Sequence, residues 1–299
     1  AMLDEKYPES FMVAEWSYPK DAIKAGFTAD FYHWVTSYED LFRKEASRSL
    51  NNVSPDGHSW FDIQGKGDIT GFIKDYLEHY NVVKNEGFIS IPVGNHDLSR
   101  INVNRTDKDL EIIYAFMMAM PGVPFVYYGD EIGMKQLYGN PSVEGCYPPR
   151  AGARTPMQWN TGVNKGFSKA EASKLWLPTD MTKEAPNVDE QEKNPASLLN
   201  KTRKLIQLRR MEKALSAHAD FIPLYYEKNQ YPFVFLRQLD GEKILVILNP
   251  AGKDVNVSVP WKITGKGQLL AGDNAGLKPT GKDLGLAIKG NTYSIYKFK

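Results

Sequence analysis

The chain has 299 residues, enough for one large domain or two ordinary ones. Its 37 Lys+Arg against 36 Asp+Glu leave almost no net charge, which removes the electrostatic case for a nucleic-acid or membrane-surface partner and suits an uncharged ligand. A single cysteine, Cys146, excludes an intrachain disulfide and leaves the compartment undetermined. With no run of 18 apolar residues, no membrane-spanning helix is expected.

The first two-thirds alternate strand-like and helix-like segments. Phe11 to Ala14 is a short apolar run ending at Glu15-Trp16, and Ala25 to Trp34 is a second strand candidate. Asp68 caps a helical stretch from Ile69 to Tyr80, with apolar residues at Ile69, Phe72, Ile73, Tyr76 and Leu77. Phe88 to Val93 reads as the third strand, Asp107 to Met120 as a helix with an almost wholly apolar end, and Pro124 to Tyr128 as the fourth strand. A Gly- and Pro-rich stretch from Gly129 to about Pro195 has no regular pattern, and so long a stretch is usually functional or disordered. Pro195 to Glu212 is a basic amphipathic helix. The alternation predicts a parallel sheet with crossover helices.

Beyond about Ala217 the texture changes. Seven short strand-like runs follow one another, Phe221–Tyr226, Phe233–Leu239, Lys243–Asn249, Val255–Val259, Gln268–Ala271, Leu284–Ile288 and Thr292–Phe298, separated by Gly, Asn and Asp turns. They predict an antiparallel β-sandwich over residues 215–299, after an α/β domain over residues 1–214.

Three predicted strands end in polar clusters: Glu15 after the first, Asn95-His96-Asp97 after the third, Gly129-Asp130-Glu131 after the fourth. In parallel β/α architectures side chains converge at such carboxyl ends to form active sites. Paired carboxylates there suit glycoside hydrolysis, in which one acid protonates the leaving oxygen and a negative charge stabilises an oxocarbenium-like centre. Helix capping or pairing with nearby Arg and Lys is the alternative use of such carboxylates.

A resemblance sharpens this. Met12-Val13-Ala14-Glu15-Trp16, followed by Ile91-Pro92-Val93-Gly94-Asn95-His96-Asp97, resembles the third and fourth signature regions of the α-amylase family, glycoside hydrolase family 13. Gly122 to Gly133 is similar to the family's eighth barrel strand, and Arg150 to Trp159 resembles a loop of oligo-1,6-glucosidases, other α-glucosidases and trehalose synthases. The resemblance covers about residues 11–212. It implies the second half of a TIM (β/α)8 barrel, strands 5–8, ahead of the sandwich. It also implies Glu15 as general acid/base, Asp97 as the transition-state carboxylate, His96 and Arg154 as ligands of the sugar, and Arg150 as a further substrate-binding candidate. Asp130 and Glu131 read as structural, and Asn95 as a support for the His96-Asp97 loop.

The same resemblance places the family's aspartate nucleophile ahead of the general acid, in a Gly-Phe-Arg-x-Asp setting. Nothing similar precedes Glu15. Gly26-Phe27-Thr28-Ala29-Asp30 lacks the Arg and follows the acid, so Asp30 is not assigned to that role. The chain is therefore expected to be a fragment of a retaining hydrolase acting on α-glucosides or α-glucans, inactive alone. No cofactor is implied here, because the family's inserted calcium-binding domain would lie in the missing N-terminal part. The competing expectations are a transglycosylase or isomerase such as a trehalose synthase, and a non-catalytic amylase-like binding or chaperone domain. Partners expected are an oligosaccharide or α-glucan and either the missing half-barrel or a second copy paired through open sheet edges.

Overall fold

The computed structural model describes residues 2–43, 57–140, 142–143, 145–146, 150–263 and 265–298. Its N-terminal part holds α1 (Met2–Lys6), β1 (Val13–Ala14), α2 (Pro19–Lys24), β2 (Ala29–Phe31), α3 (Thr36–Phe42), α4 (Thr70–Val83), β3 (Phe88–Ser90) and α5 (Asp107–Ala119). The strands form a parallel sheet in the order β1-β2-β3, with Val13 opposite Ala29 and Asp30 opposite Ile89. Consecutive parallel strands joined by helices are the repeating unit of a TIM-type barrel, here present in part.

Helix α5 is buried from Asp109 to Ala119, so it runs through the core. Its start is fixed by a reciprocal capping box: Thr106 Oγ1 accepts from the Asp109 N–H while the Asp109 carboxylate accepts from the Thr106 N–H. Its C-terminal carbonyls are met by Arg209 of α8 (Leu198–Met211), which donates to the carbonyls of Met118 and Met120, each at 2.7 Å, and of Gly122 at 2.6 Å.

The C-terminal part is all β: β4 (Asp220–Tyr225), β5 (Phe233–Leu239), β6 (Glu242–Asn249), β7 (Val255–Val259), β8 (Gln268–Gly272), β9 (Gly276–Thr280), β10 (Asp283–Ile288) and β11 (Thr292–Phe298). Two sheets form, one in the order β4-β5-β6-β11-β8 and one in the order β7-β10-β9. Period-two alternation in β6 divides the cores. Ile244, Val246 and Leu248 face the helices, whereas Leu245 and Ile247 face the second sheet with Val259, Leu284 and Leu286. One apolar core therefore runs from Phe72, Tyr76 and Phe116 into Phe221, Phe233 and Phe235. Arg237 of β5 spans the junction, donating to the carbonyls of Ala119, Ser216, Ala219 and Asp220. Tyr293 donates to buried Glu111 of α5 at 2.9 Å.

Several expected elements differ. The expected strand Ala25–Trp34 is only Ala29–Phe31: Ala25 is the αR cap that ends α2 and Gly26 turns the chain at a φ of 101°, so pairing starts at Ala29. The run Pro124–Tyr128 is no strand: it makes no ladder, although Phe125 packs edge-on against Phe31 at 4.7 Å. The helix expected from Ile69 begins at Thr70, with the Asp68 carboxylate accepting from the Thr70 N–H. Among its described residues, the stretch from Gly129 to Pro195 contains two short helices, α6 (Arg150–Ala153) and α7 (Val188–Lys193), and three 3-10 turns. An eighth C-terminal strand, β9, joins the seven expected.

Candidate active site

Two of the three expected clusters follow strands; the third, Gly129-Asp130-Glu131, follows a run that is no strand. Glu15 follows β1 and is largely exposed; Asn95, His96 and Asp97 follow β3. One ligand atom each of Glu15, His96 and Asp97 lie within 4.8 Å of one another, although Glu15 and Asp97 are 82 positions apart in sequence. The loop that carries Asp97 is held from within: Asn95 Oδ1 accepts the N–H groups of Asp97 and Leu98, both at 2.8 Å. Gly94 is required there, since a Cβ would stand 2.3 Å from Asp130 Oδ2.

Asp97 is surrounded by cations from the long loop. Arg154 Nη2 lies 3.0 Å and Arg150 Nη1 3.1 Å from the same oxygen, Oδ1. Arg154 also donates through Nε to the His96 carbonyl at 2.8 Å and through Nη1 to the Gly145 carbonyl at 3.2 Å. Three of its nitrogens thus fix the loop as well as the carboxylate. His96 Nε2 stands 3.6 Å from Asp97 Oδ2 and is half exposed.

Two cavities adjoin this cluster. One, of about 200 Å³, is lined by Glu15, Phe31, Gly94, Asn95, His96, Phe125 and Tyr127. The other, of about 410 Å³, is walled by Tyr128, Trp159, Phe167 and Trp176, with Glu131 and Arg154 as its charged members. Arg154 is shared between the second cavity and Asp97, so a ligand extending from one to the other would pass over it.

Two further carboxylates, Asp130 and Asp30, are tied into the framework. Asp130 is fully buried and paired with buried Arg100 at 2.9 Å. Arg100 also donates to the Tyr128 carbonyl at 2.8 Å. Burial pushes the Asp130 carboxyl up, and Arg100 works against that shift. Asp30 is buried and accepts the Trp16 N–H at 2.9 Å, bracing the turn that follows Glu15. Burial raises it while backbone N–H groups of Trp16, Ser17 and Tyr18 pull it down. Sequence reasoning missed His33, which ends the β2 turn beneath Glu15. The signal was available, because it occupies a strand end just as Glu15 and Asp97 do.

Comparison with known proteins follows the same division. The family model described as the alpha amylase catalytic domain matches residues 2–218. An amino acid transporter heavy chain of Homo sapiens is 30% identical over 232 residues, 77% of this chain and 32% of that protein. An oligo-1,6-glucosidase of Parageobacillus thermoglucosidasius is 27% identical over 271 residues, 77% of this chain and 47% of that one. The crystal structure of a trehalose-6-phosphate hydrolase from Bacillus licheniformis superposes with a TM-score of 0.71 at 21% identity, covering 99% of this chain and 57% of that one. The chain thus spans about half or less of the relatives it matches, and its likeness to the solved structure is one of fold.

Proposed function

Because the chain belongs to the α-amylase family of glycoside hydrolases, we propose that it is the part of an α-glucoside- or α-glucan-acting retaining enzyme that contains barrel strands 5–7, the unpaired run Pro124–Tyr128 in the place of strand 8, and the following sandwich. The observation that carries this reading is the convergence of Glu15, His96 and Asp97 within 4.8 Å at adjoining strand ends. Glu15, open to solvent on one side, is the general acid/base. Asp97 supplies negative charge opposite the oxocarbenium-like centre, and His96 lies where a ring hydroxyl would reach it. Arg154 and Arg150 fix Asp97 and offer remaining N–H groups to sugar hydroxyls. No cofactor enters this chemistry.

A retaining mechanism needs a nucleophile to form the glycosyl-enzyme, and these 299 residues contain no counterpart of the family's nucleophile region. These residues by themselves are accordingly expected to be inactive, and turnover needs the nucleophile-bearing half of the barrel beside the edge of β1 that no described strand pairs. Transglycosylation in the manner of a trehalose synthase would use the same residues and differ in how water is excluded. The similarity to the transporter heavy chain favours a second reading, a non-catalytic role; the paired Glu15 and Asp97 favour the enzyme.

The test has two arms. The purified chain is incubated with p-nitrophenyl α-glucoside and with maltose; no turnover is expected, and robust turnover abolished by Glu15→Gln would refute the inactivity. In the completed barrel, Glu15→Gln and Asp97→Asn should each lower maltose turnover by about a hundredfold or more. Unchanged turnover in either variant removes that residue from the mechanism.

A further inference from the structure

Resting on the reading of Glu15 as the acid, one more side chain acts on it. His33 is buried at the end of β2, with Nε2 3.8 Å from Glu15 Oε1. Neither ring nitrogen has a well-formed hydrogen bond, although the Phe31 carbonyl lies near enough to favour the protonated ring. The ring is clamped against Trp34 at 4.8 Å and lies edge-on to Phe31 and Tyr38. Its backbone is tied as firmly. Ser17 Oγ accepts the N–H groups of His33 at 3.0 Å and Trp34 at 2.8 Å, and donates to the Phe31 carbonyl at 2.9 Å. Ser17 lies two residues beyond Glu15 and has a positive φ of 64°, so the turn carrying the acid and the turn carrying the imidazole are stitched together.

The charged groups that bear on the ring come from every side: Glu15 beyond β1, Arg43 after α3, and His96 and Asp97 after β3. Burial outweighs them and pushes the imidazole down to about 4, so at neutral pH it carries a single N–H. Two acceptors compete for it: the Phe31 carbonyl, which also accepts from Ser17 and bears on the ring, and the Glu15 carboxylate, a stronger, charge-assisted acceptor. A buried N–H left unpaired costs about 1–3 kcal/mol.

We propose that His33 is a positioning residue for the general acid/base, donating its Nε2–H to Glu15 Oε1 and thereby turning Glu15 Oε2 toward the leaving-group oxygen. The donor serves both steps, because Oε1 is an acceptor whether Oε2 carries its proton or has given it up. The separation of 3.8 Å closes when substrate settles the carboxyl, as such contacts often do.

The tautomer is measured first, by 15N spectroscopy of the histidine side chains in the whole 299-residue chain, with His33→Gln to assign the signal. The proton is expected on Nε2; a proton on Nδ1 overturns the proposal without reference to activity. The completed barrel is then assayed on maltose and on α-glucosyl fluoride, whose leaving group needs little protonation. His33→Phe should lose about a hundredfold on maltose and only a few-fold on the fluoride, and His33→Gln, which can place an amide N–H near the same oxygen, should recover most of the loss. Equal loss on both substrates would assign His33 to packing alone. Glu15→Gln run in parallel must show the same split; if it does not, the reading of Glu15 as the acid fails, whatever the His33 tautomer.

Discussion

Arg154 and Asp97, 57 residues apart in sequence, meet through Nη2 and Oδ1 at 3.0 Å, and Arg154 binds the neighbouring His96 carbonyl as well. A residue that holds both the carboxylate and its backbone does more than touch a terminal sugar. Arg154→Ala should therefore raise the KM for maltose at least about tenfold and also lower kcat, since a charged hydrogen bond contributes about 1.5–3 kcal/mol. Arg154→Lys should recover little, because a single ammonium cannot replace three separately directed nitrogens. Steady-state kinetics of the completed barrel on maltose decide it; unchanged constants for Arg154→Ala would exclude it from the sugar pocket.

Much of this site was legible in the sequence because its residues sit at the ends of short apolar runs, where backbone direction alone sends side chains to one rim. The contact of Arg154 with Asp97 was not, since the loop between them follows no period. Strand β9 escaped notice for a related reason. Gly276-Leu277-Lys278-Pro279-Thr280 offers one apolar residue and a proline, the composition of an edge strand whose free side must not pair. Pro124–Tyr128 failed in the opposite sense: its composition is strand-like, but pairing rather than composition makes a strand. In β6 both faces are buried in different cores, which is why it reads as a continuous apolar run rather than an alternating one.

Stability should depend on pH through His33. Its folded-state value, about 4, lies below the ordinary 6.5, so the unfolded chain binds more protons between those limits. The contribution is complete above about pH 6.5 and is lost progressively as pH falls toward 4, amounting to about 3 kcal/mol. Urea unfolding from pH 7.5 to 4.5 should show this decline in the native chain and a shallower one in His33→Phe. Parallel slopes would mean that the ring is already charged in the folded state.

The buried pair Arg100–Asp130 should be intolerant of losing one member. Asp130→Ala leaves a guanidinium uncompensated beneath the site and should cost about 3–5 kcal/mol. Replacing both, as Arg100→Met with Asp130→Leu, should cost less than either single change, because no unpaired charge remains. Urea midpoints of the three variants test this ordering.

Light scattering on the purified chain should show association. β1 is paired only with β2 among the described strands, and Phe11 and Trp16 beside it are about half exposed. An uncovered apolar edge costs about 25 cal/mol per Å² of apolar surface, which a second half-barrel or a second copy removes. A well-folded monomer of 33.8 kDa would show that this edge is tolerated in water.

The grip of Arg237 on four carbonyls, and of Arg209 on three at the end of α5, has a consequence for motion. A hinge needs a seam that can part at little cost, and here parting would strand the buried Arg237 guanidinium, which reaches from β5 to the Ala119 carbonyl, while Arg209 holds the end of α5 against α8. The sandwich accordingly travels with α5 as one rigid block. Any opening that admits and releases a ligand is left to the side of the site formed by Arg150, Arg154, Trp159 and Trp176, whose described surroundings are short turns rather than long elements.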